Sequence, residues 1–178
     1  MKIEDTQITD VKVIHQTKRF DDRGYFSRLF CDQSLENVLG GMPIRHVNAS
    51  YTKYAGTVRG LHFQKAPMQE TKIIYCIQGR IFDVAVDLRQ SSRTYLRHHS
   101  QVLSPENGQA LLVPQGFAHG FQTLEDDTEI IYFNTNIYSP EHEAGLRYDD
   151  QRLAINWPLG VTNISEKDSS WELVDEKY

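Results

Sequence analysis

Between Val58 and Arg89 the chain reads VRGLHFQKAPMQETKIIYCIQGRIFDVAVDLR, and its apolar runs carry Arg59, His62, Gln64, Lys72 and Asp83. A segment that alternates large apolar residues with polar ones turns one face to a core and the other to water or a cavity. Here that second face is rich in chemistry. His62 brings an imidazole suited to proton transfer near neutral pH, and His119 sits in a similar setting, FAHGF. A carboxylate on the far ring nitrogen would fix the tautomer and raise the basicity; Asp83 and Asp168 are the candidates. In a closed pocket the ammonium of Lys72 could stabilise a carbonyl oxygen as it becomes an enolate. Tyr132, inside TEIIYFNTNIY, could deliver a proton from the side opposite a histidine, and Tyr138 offers a flat stacking surface. Each has a plainer reading too: a satisfied core histidine, a lysine snorkelling at a strand edge, aromatic packing.

Arg23, Arg28, Arg45, Arg59 and Lys72 are scattered along the chain. Converging, they would suit a diphosphate, because guanidinium matches phosphate oxygens with paired hydrogen bonds; diverging, they are surface charges. His62, Gln64, Glu70 and His119 approximate the spacing of a histidine-rich metal site. An amide at the second position is a poor ligand, so the expectation is no metal. There is no glycine-rich phosphate loop and no C-x-x-C, which leaves nicotinamide, nucleotide-hydrolase and zinc-ribbon readings without a motif.

The elements that must position these residues are short strands. About ten alternating runs are separated by Gly, Pro, Asn and Asp turns, which points to an all-β antiparallel sandwich or barrel. Residues 31 to 39 are the clearest helical piece, ended by Gly40, Gly41 and Pro43, and EHEAG is a second candidate. YLRHHSQVLS reads as one strand, and the tail after residue 150 as mostly loop. A chain of 178 residues suits one core, and no linker divides it, so residues 1–178 are expected to form one domain. The formal charge of -5 argues against a general nucleic-acid grip. No run approaches membrane-spanning length and no signal-like stretch opens the chain. Cys31 and Cys76 are expected to be thiols in a cytoplasmic protein.

The series DDRGYF (21–26), NAS (48–50), VRGLHFQ (58–64), QETK ending at Lys72 and IFDVAVDLR (81–89) resembles the dTDP-4-dehydrorhamnose 3,5-epimerase family. VPQGFAHGF (113–121), YSPEHE (138–143), NWP (156–158) and SEKD (165–168) continue the resemblance in order, so that it covers nearly the whole chain. It implies a cupin-like jelly-roll barrel with short peripheral helices. It also implies a homodimer that inverts C3 and C5 of a nucleotide-linked 4-keto-6-deoxyhexose without metal or organic cofactor. By resemblance His62 is the base, Asp168 the carboxylate that orients it, Tyr132 the acid on the opposite face and Lys72 the group beside the enolate oxygen. Arg59, Asn48 and His119 resemble residues that hold the diphosphate and sugar, with Gln64 beside them in the same motif. Arg23 and Phe26 resemble residues that reach the nucleotide from the partner subunit, and Tyr138 the stacking aromatic.

Three departures fall outside the catalytic set. Arg28 stands where the family usually has a glutamate, and His46 where a glutamine is common, both on the nucleotide-facing stretch. Tyr148 and the Arg93–Leu96 run replace a usual tryptophan and turn. The competing readings are a 3,4-ketoisomerase, an epimerase of a non-thymidine nucleotide sugar, a catalytically silent sugar-nucleotide-binding cupin and a metal-dependent cupin.

Overall fold

The computed structural model describes residues 1–174; the last four positions of the expected 1–178 domain lie outside the described residues. Strands β1 (Lys2–Asp5), β2 (Lys12–His15), β3 (Lys18–Asp21) and β4 (Gly24–Ser27) lead into helix α1 (Asp32–Leu39). Then come β5 (His46–Thr52), β6 (Val58–Gln64), β7 (Lys72–Gln78), β8 (Ile81–Asp87), β9 (His98–Leu103) and β10 (Gln109–Val113). β11 (Phe117–Thr123), β12 (Thr128–Asn134), β13 (Glu143–Gly145) and the short helix α2 (Glu166–Ser169) complete the described elements.

The strands form two antiparallel sheets, ordered β1-β2-β10-β7-β12-β5 and β13-β6-β11-β8-β9, with β3 and β4 as a separate hairpin. The topology is cupin-like and all-β, but neither sheet closes on itself. The expected jelly-roll barrel is therefore corrected to two open sheets stacked face to face. A barrel needs every edge strand to hydrogen-bond to a neighbour, and among the described residues β1, β5, β9 and β13 each have a ladder on one side alone.

Period-2 alternation explains the layers. Val13, Ile74, Leu111 and Ile130 of the six-stranded sheet meet Ile81, Leu103, Phe117 and Phe121 of the five-stranded sheet in the central core. The intervening residues Ile14, Ile73, Tyr75, Ala110 and Leu112 face outward and pack under Leu35 and Leu39 of α1. Each of those two leucines is almost fully buried, which stabilises the docking by roughly 1.5–3 kcal/mol apiece. The helix stops where Gly40 turns left-handed (φ +58°), its N–H donating to Glu36 O. On the far side of the five-stranded sheet, Leu61, Val84, Val86 and Ala118 are covered by Leu146, Leu153 and Val174 from the tail.

Two local expectations are corrected. EHEAG is not a helix: Pro140–His142 make one 3-10 turn, and Glu143–Gly145 pair with β6. Tyr95 and Leu96 do not begin β9. That segment instead caps the buried Asp87, whose carboxylate accepts from Ser92 and Thr94 and pairs with Arg89. Cys31 and Cys76 are both free thiols. Among the described residues, no helix is long and apolar enough to cross a membrane.

Candidate active site

One end of the space between the sheets stays open and polar. Two adjoining cavities, of about 520 and 190 Å³, share His62, Lys72 and Tyr132 in their walls. His62 projects from β6 of the five-stranded sheet; Lys72 and Tyr132 project from β7 and β12 of the six-stranded sheet. The imidazole and the phenol thus face one volume from opposite layers.

His62 is held by Asp168. Its Nε2 lies 2.7 Å from Asp168 Oδ1, and the other carboxylate oxygen accepts from the Gly60 N–H at 3.0 Å. The carboxylate arrives on α2, where Ser165 Oγ accepts the Asp168 N–H. Burial works to raise the Asp168 pKa, but the His62 contact together with the Gly60 and Ser165 hydrogen bonds outweighs it and holds the carboxyl below its ordinary value. An ionised Asp168 requires the proton on Nε2 and leaves Nδ1 as the basic nitrogen.

The backbone around this pair needs glycine. A Cβ on Gly145, paired with His62 across β13 and β6, would fall 2.4 Å from the Trp171 ring; that ring stands edge-on to the imidazole at 6.3 Å. Gly60 (φ +117°) and Gly120 approach so closely that a Cβ on either would strike the other strand's backbone. This contact coincides with the register shift between His119 and Phe121.

Lys72 pairs with Glu70 at 3.0 Å, both side chains largely buried (15% and 8% exposed), and Gln64 Nε2 donates to the same carboxylate at 3.2 Å. His119 repeats the histidine–carboxylate arrangement: its Nε2 is 2.7 Å from Asp83 Oδ1. Both carboxylates weighed for His62 are therefore used, one on each histidine. The four side chains weighed as metal ligands do not converge on one point, although Gln64 reaches Glu70. His62, His119 and Glu70 are engaged by Asp168, Asp83 and Lys72, and Gln64 donates to Met68 O and Ile137 O. Among the described residues no group of three or more His, Cys, Asp or Glu is arranged to hold a metal ion.

Asn48, His46 and Gln64 also line the larger cavity, with Tyr138 at its rim, and Arg59 and His119 line the smaller one. Arg59 is aimed by Thr52 Oγ1 at 3.0 Å and Tyr51 O at 3.2 Å. Arg23, Phe26 and Arg28 are not brought there: they are exposed on or just beyond the β3–β4 hairpin, with Arg23 folded onto Asp21. Sequence reasoning overlooked Glu143 and Asn134, and it weighed Glu70 only as a ligand. Glu143 lines the cavity and accepts from Tyr138 Oη (2.7 Å) and Lys167 Nζ (2.6 Å). Asn134, two residues after Tyr132 and so on its face, donates from Nδ2 to His46 Nε2 at 2.7 Å.

A cupin-like pair of sheets enclosing an oriented imidazole, an opposed phenol and an ammonium holds the groups that acid–base isomerisation uses. The family model for dTDP-4-dehydrorhamnose 3,5-epimerase matches residues 5–176, and the chain belongs to that family. A relative of that name from Sinorhizobium fredii is 46% identical over 171 residues, covering 96% of this chain and 88% of its own. The Escherichia coli relative of the same name is 38% identical, covering 99% and 96%. Among solved structures, the Bacillus anthracis dTDP-4-dehydrorhamnose 3,5-epimerase with TDP and PPi bound superposes with a TM-score of 0.93 at 41% identity, covering 97% of this chain and 99% of its own. The Legionella pneumophila dTDP-6-deoxy-D-glucose-3,5-epimerase in complex with dTDP-4-keto-L-rhamnose gives 0.92 at 37%, covering 97% and 92%. The chain is an enzyme of this class, an epimerase of a nucleotide-linked 4-keto-6-deoxyhexose.

Proposed function

We propose that the chain inverts both C3 and C5 of a 4-keto-6-deoxyhexose carried on thymidine diphosphate, with His62 as base and Tyr132 as acid. A ketone at C4 acidifies the hydrogens on both neighbouring carbons, so one base and one acid on opposite faces can serve either centre. His62 Nδ1 takes the proton, and the electrons move onto the C4 oxygen beside Lys72. Tyr132 returns a proton to the other face, and Asp168 holds the imidazole throughout. Arg59, Asn48 and His119 hold the diphosphate and sugar, Gln64 and His46 complete the wall, and Tyr138 stacks at the mouth; remote binding energy then orients the ring. The observation that carries this reading is the placement of His62 and Tyr132 across one cavity from opposite sheets.

The assembly we propose is a homodimer. Phe20, Tyr25 and Phe26 are exposed on a hairpin that joins neither sheet. Arg23 and Phe26 on that hairpin, with Arg28 just beyond it, reach the nucleotide of the partner subunit. Sedimentation at micromolar concentration is expected to give twice the chain mass, and a monomer that turns over normally would refute the pairing.

Incubating the enzyme with the thymidine-linked 4-ketosugar in deuterated water is expected to place deuterium at C3 and C5 with inversion, read by NMR. Exchange at one carbon alone would reduce the activity to a single inversion. Preference for a cytidine, guanosine or uridine diphosphate in a parallel binding series would show that Arg28 and His46 have changed the base.

Lys72 and Glu70 separate catalysis from stability. Lys72→Met strands a buried carboxylate, for which a loss of about 3–5 kcal/mol is expected. Adding Glu70→Gln removes that charge and restores the thermal midpoint, while turnover stays about a hundredfold down for want of the enolate's cation. Recovery of turnover along with stability would assign Lys72 to the fold alone.

A further inference from the structure

Three histidines stand in one transverse row across the inner face of the five-stranded sheet. The register pairs His62 with His119, His119 with Ala85, and Ala85 with His99. Ala85 leaves room in that row, and Asp83, two residues earlier on the same face, fills it with a carboxylate 0% exposed. Its Oδ1 holds His119 Nε2 at 2.7 Å. Its Oδ2 is buried without a hydrogen-bond partner among the described residues, and so is His99 Nε2. Asp83 and His99 act on each other electrostatically. His99 also borders a second cavity of about 650 Å³, walled by Glu4, Ile8 and Val13 from the β1–β2 side and by His98 and Gln101 from β9.

Two orphaned buried polar atoms are costly unless something joins them, and one water between Asp83 Oδ2 and His99 Nε2 would satisfy both. We infer that His119, Asp83 and His99 form a proton path from the catalytic cavity to the second cavity between β1 and β9.

The inference rests on the acid–base reading above, because that chemistry creates the need. Each inversion ends with an extra proton on His62 and a phenolate at Tyr132. Before the second carbon can react, one proton must leave the first and one must reach the other, while the sugar still blocks the mouth. On the path, His119, the cross-strand neighbour of His62 in the same cavity wall, takes the proton from His62 at Nδ1 and passes the one on Nε2 to Asp83. The carboxyl turns and hands it through the water to His99 Nε2, and His99 Nδ1 releases one into the second cavity. One proton enters and one leaves; run backwards, the row supplies Tyr132. Burial raises the Asp83 pKa, opposed by His119 and Lys72, which eases transient protonation of that carboxylate. His99 touches no substrate and acts through Asp83 and His119.

The test uses His99→Gln, which keeps a hydrogen bond but carries no titrating proton, and His99→Val as a second replacement, each in the full chain with the thymidine-linked 4-ketosugar. In a single turnover the first inversion is expected within twofold of wild type. Steady-state kcat is expected to fall about a hundredfold, the low end of what a proton-transfer group contributes, and added imidazole to restore most of it. Unchanged kcat in His99→Gln, equal loss of the first inversion, or no response to imidazole would overturn the path. Wild type assayed alongside distinguishes the two readings: if it fails to turn over the sugar, the acid–base reading falls first and the path with it.

Discussion

His62→Ala is expected to reduce turnover by about a thousandfold, within the 10²–10⁴ range for a positioned acid–base group and equivalent to roughly 4 kcal/mol of barrier. Affinity for thymidine diphosphate should change little, because Arg59, Asn48 and His119 remain on the cavity walls. Deuterium incorporation at both C3 and C5 should fall together, since a single imidazole is asked to open both centres. Calorimetry with the diphosphate, beside NMR of the sugar in deuterated water, checks this. Retained affinity with normal turnover would favour a different base, and retained affinity with no wild-type turnover would favour a silent binding module. The same substitution has a stability signature. Asp168 has a depressed pKa when folded, so its contribution is present above the ordinary carboxylate value and is lost as pH falls through the depressed one. Removing His62 takes away the leading stabiliser of the carboxylate and raises that folded value. Raising the folded value toward the ordinary one narrows that window, so His62→Ala is expected to start from a lower thermal midpoint and to lose less of it in acid than wild type does.

The chemistry of this site was legible where it follows a strand's period, and obscure where it depends on how strands meet. His62, Lys72 and Tyr132 are polar residues in apolar runs, and alternation alone turns them to the inner face. Asn134 obeys the same rule two residues beyond Tyr132, and it escaped notice because an amide announces no chemistry. Glu143 was hidden by a mistaken element: EHEAG has the composition of a helical turn, but pairing with β6 outbids that local preference. Asp168 lies 106 residues from His62, and no spacing rule reaches so far; it stood beside Asp83 as one of two candidate carboxylates until the family resemblance chose it. The choice between an open sandwich and a closed barrel was likewise illegible, because alternation specifies which face a residue takes and says nothing about the neighbour of an edge strand.

The two-sheet layout also explains why catalysis and recognition can vary separately. The side chains proposed for catalysis are anchored on central strands β6, β7 and β12, each hydrogen-bonded on both sides. His46 and Asn48 sit on the edge strand β5, and Arg23, Phe26 and Arg28 on or just beyond the detached hairpin. Edge and hairpin residues can change without disturbing the ladders that aim the imidazole and the phenol. The unusual residues, Arg28 and His46, both lie in this permissive region.

Tyr132→Phe is expected to uncouple exchange from inversion. The variant keeps the ring that packs against the central core, so the fold should be undisturbed. It also keeps the His62–Asp168 pair, so the proton next to the ketone is still removed and the enolate still forms beside Lys72. The group on the opposite face is gone. Inversion should fall by about 10²–10³, while His62, after trading its proton with solvent, returns deuterium to the face it was taken from. The sugar would then gain deuterium at C3 with its original stereochemistry, a result NMR distinguishes from both wild type and His62→Ala. The contrast follows from geometry: with base and acid on separate sheets, losing one leaves the other's half-reaction running. Loss of exchange and inversion in equal measure would mean that the phenol is needed to form the enolate, and inversion at the wild-type rate would place the second proton donor elsewhere in the cavity.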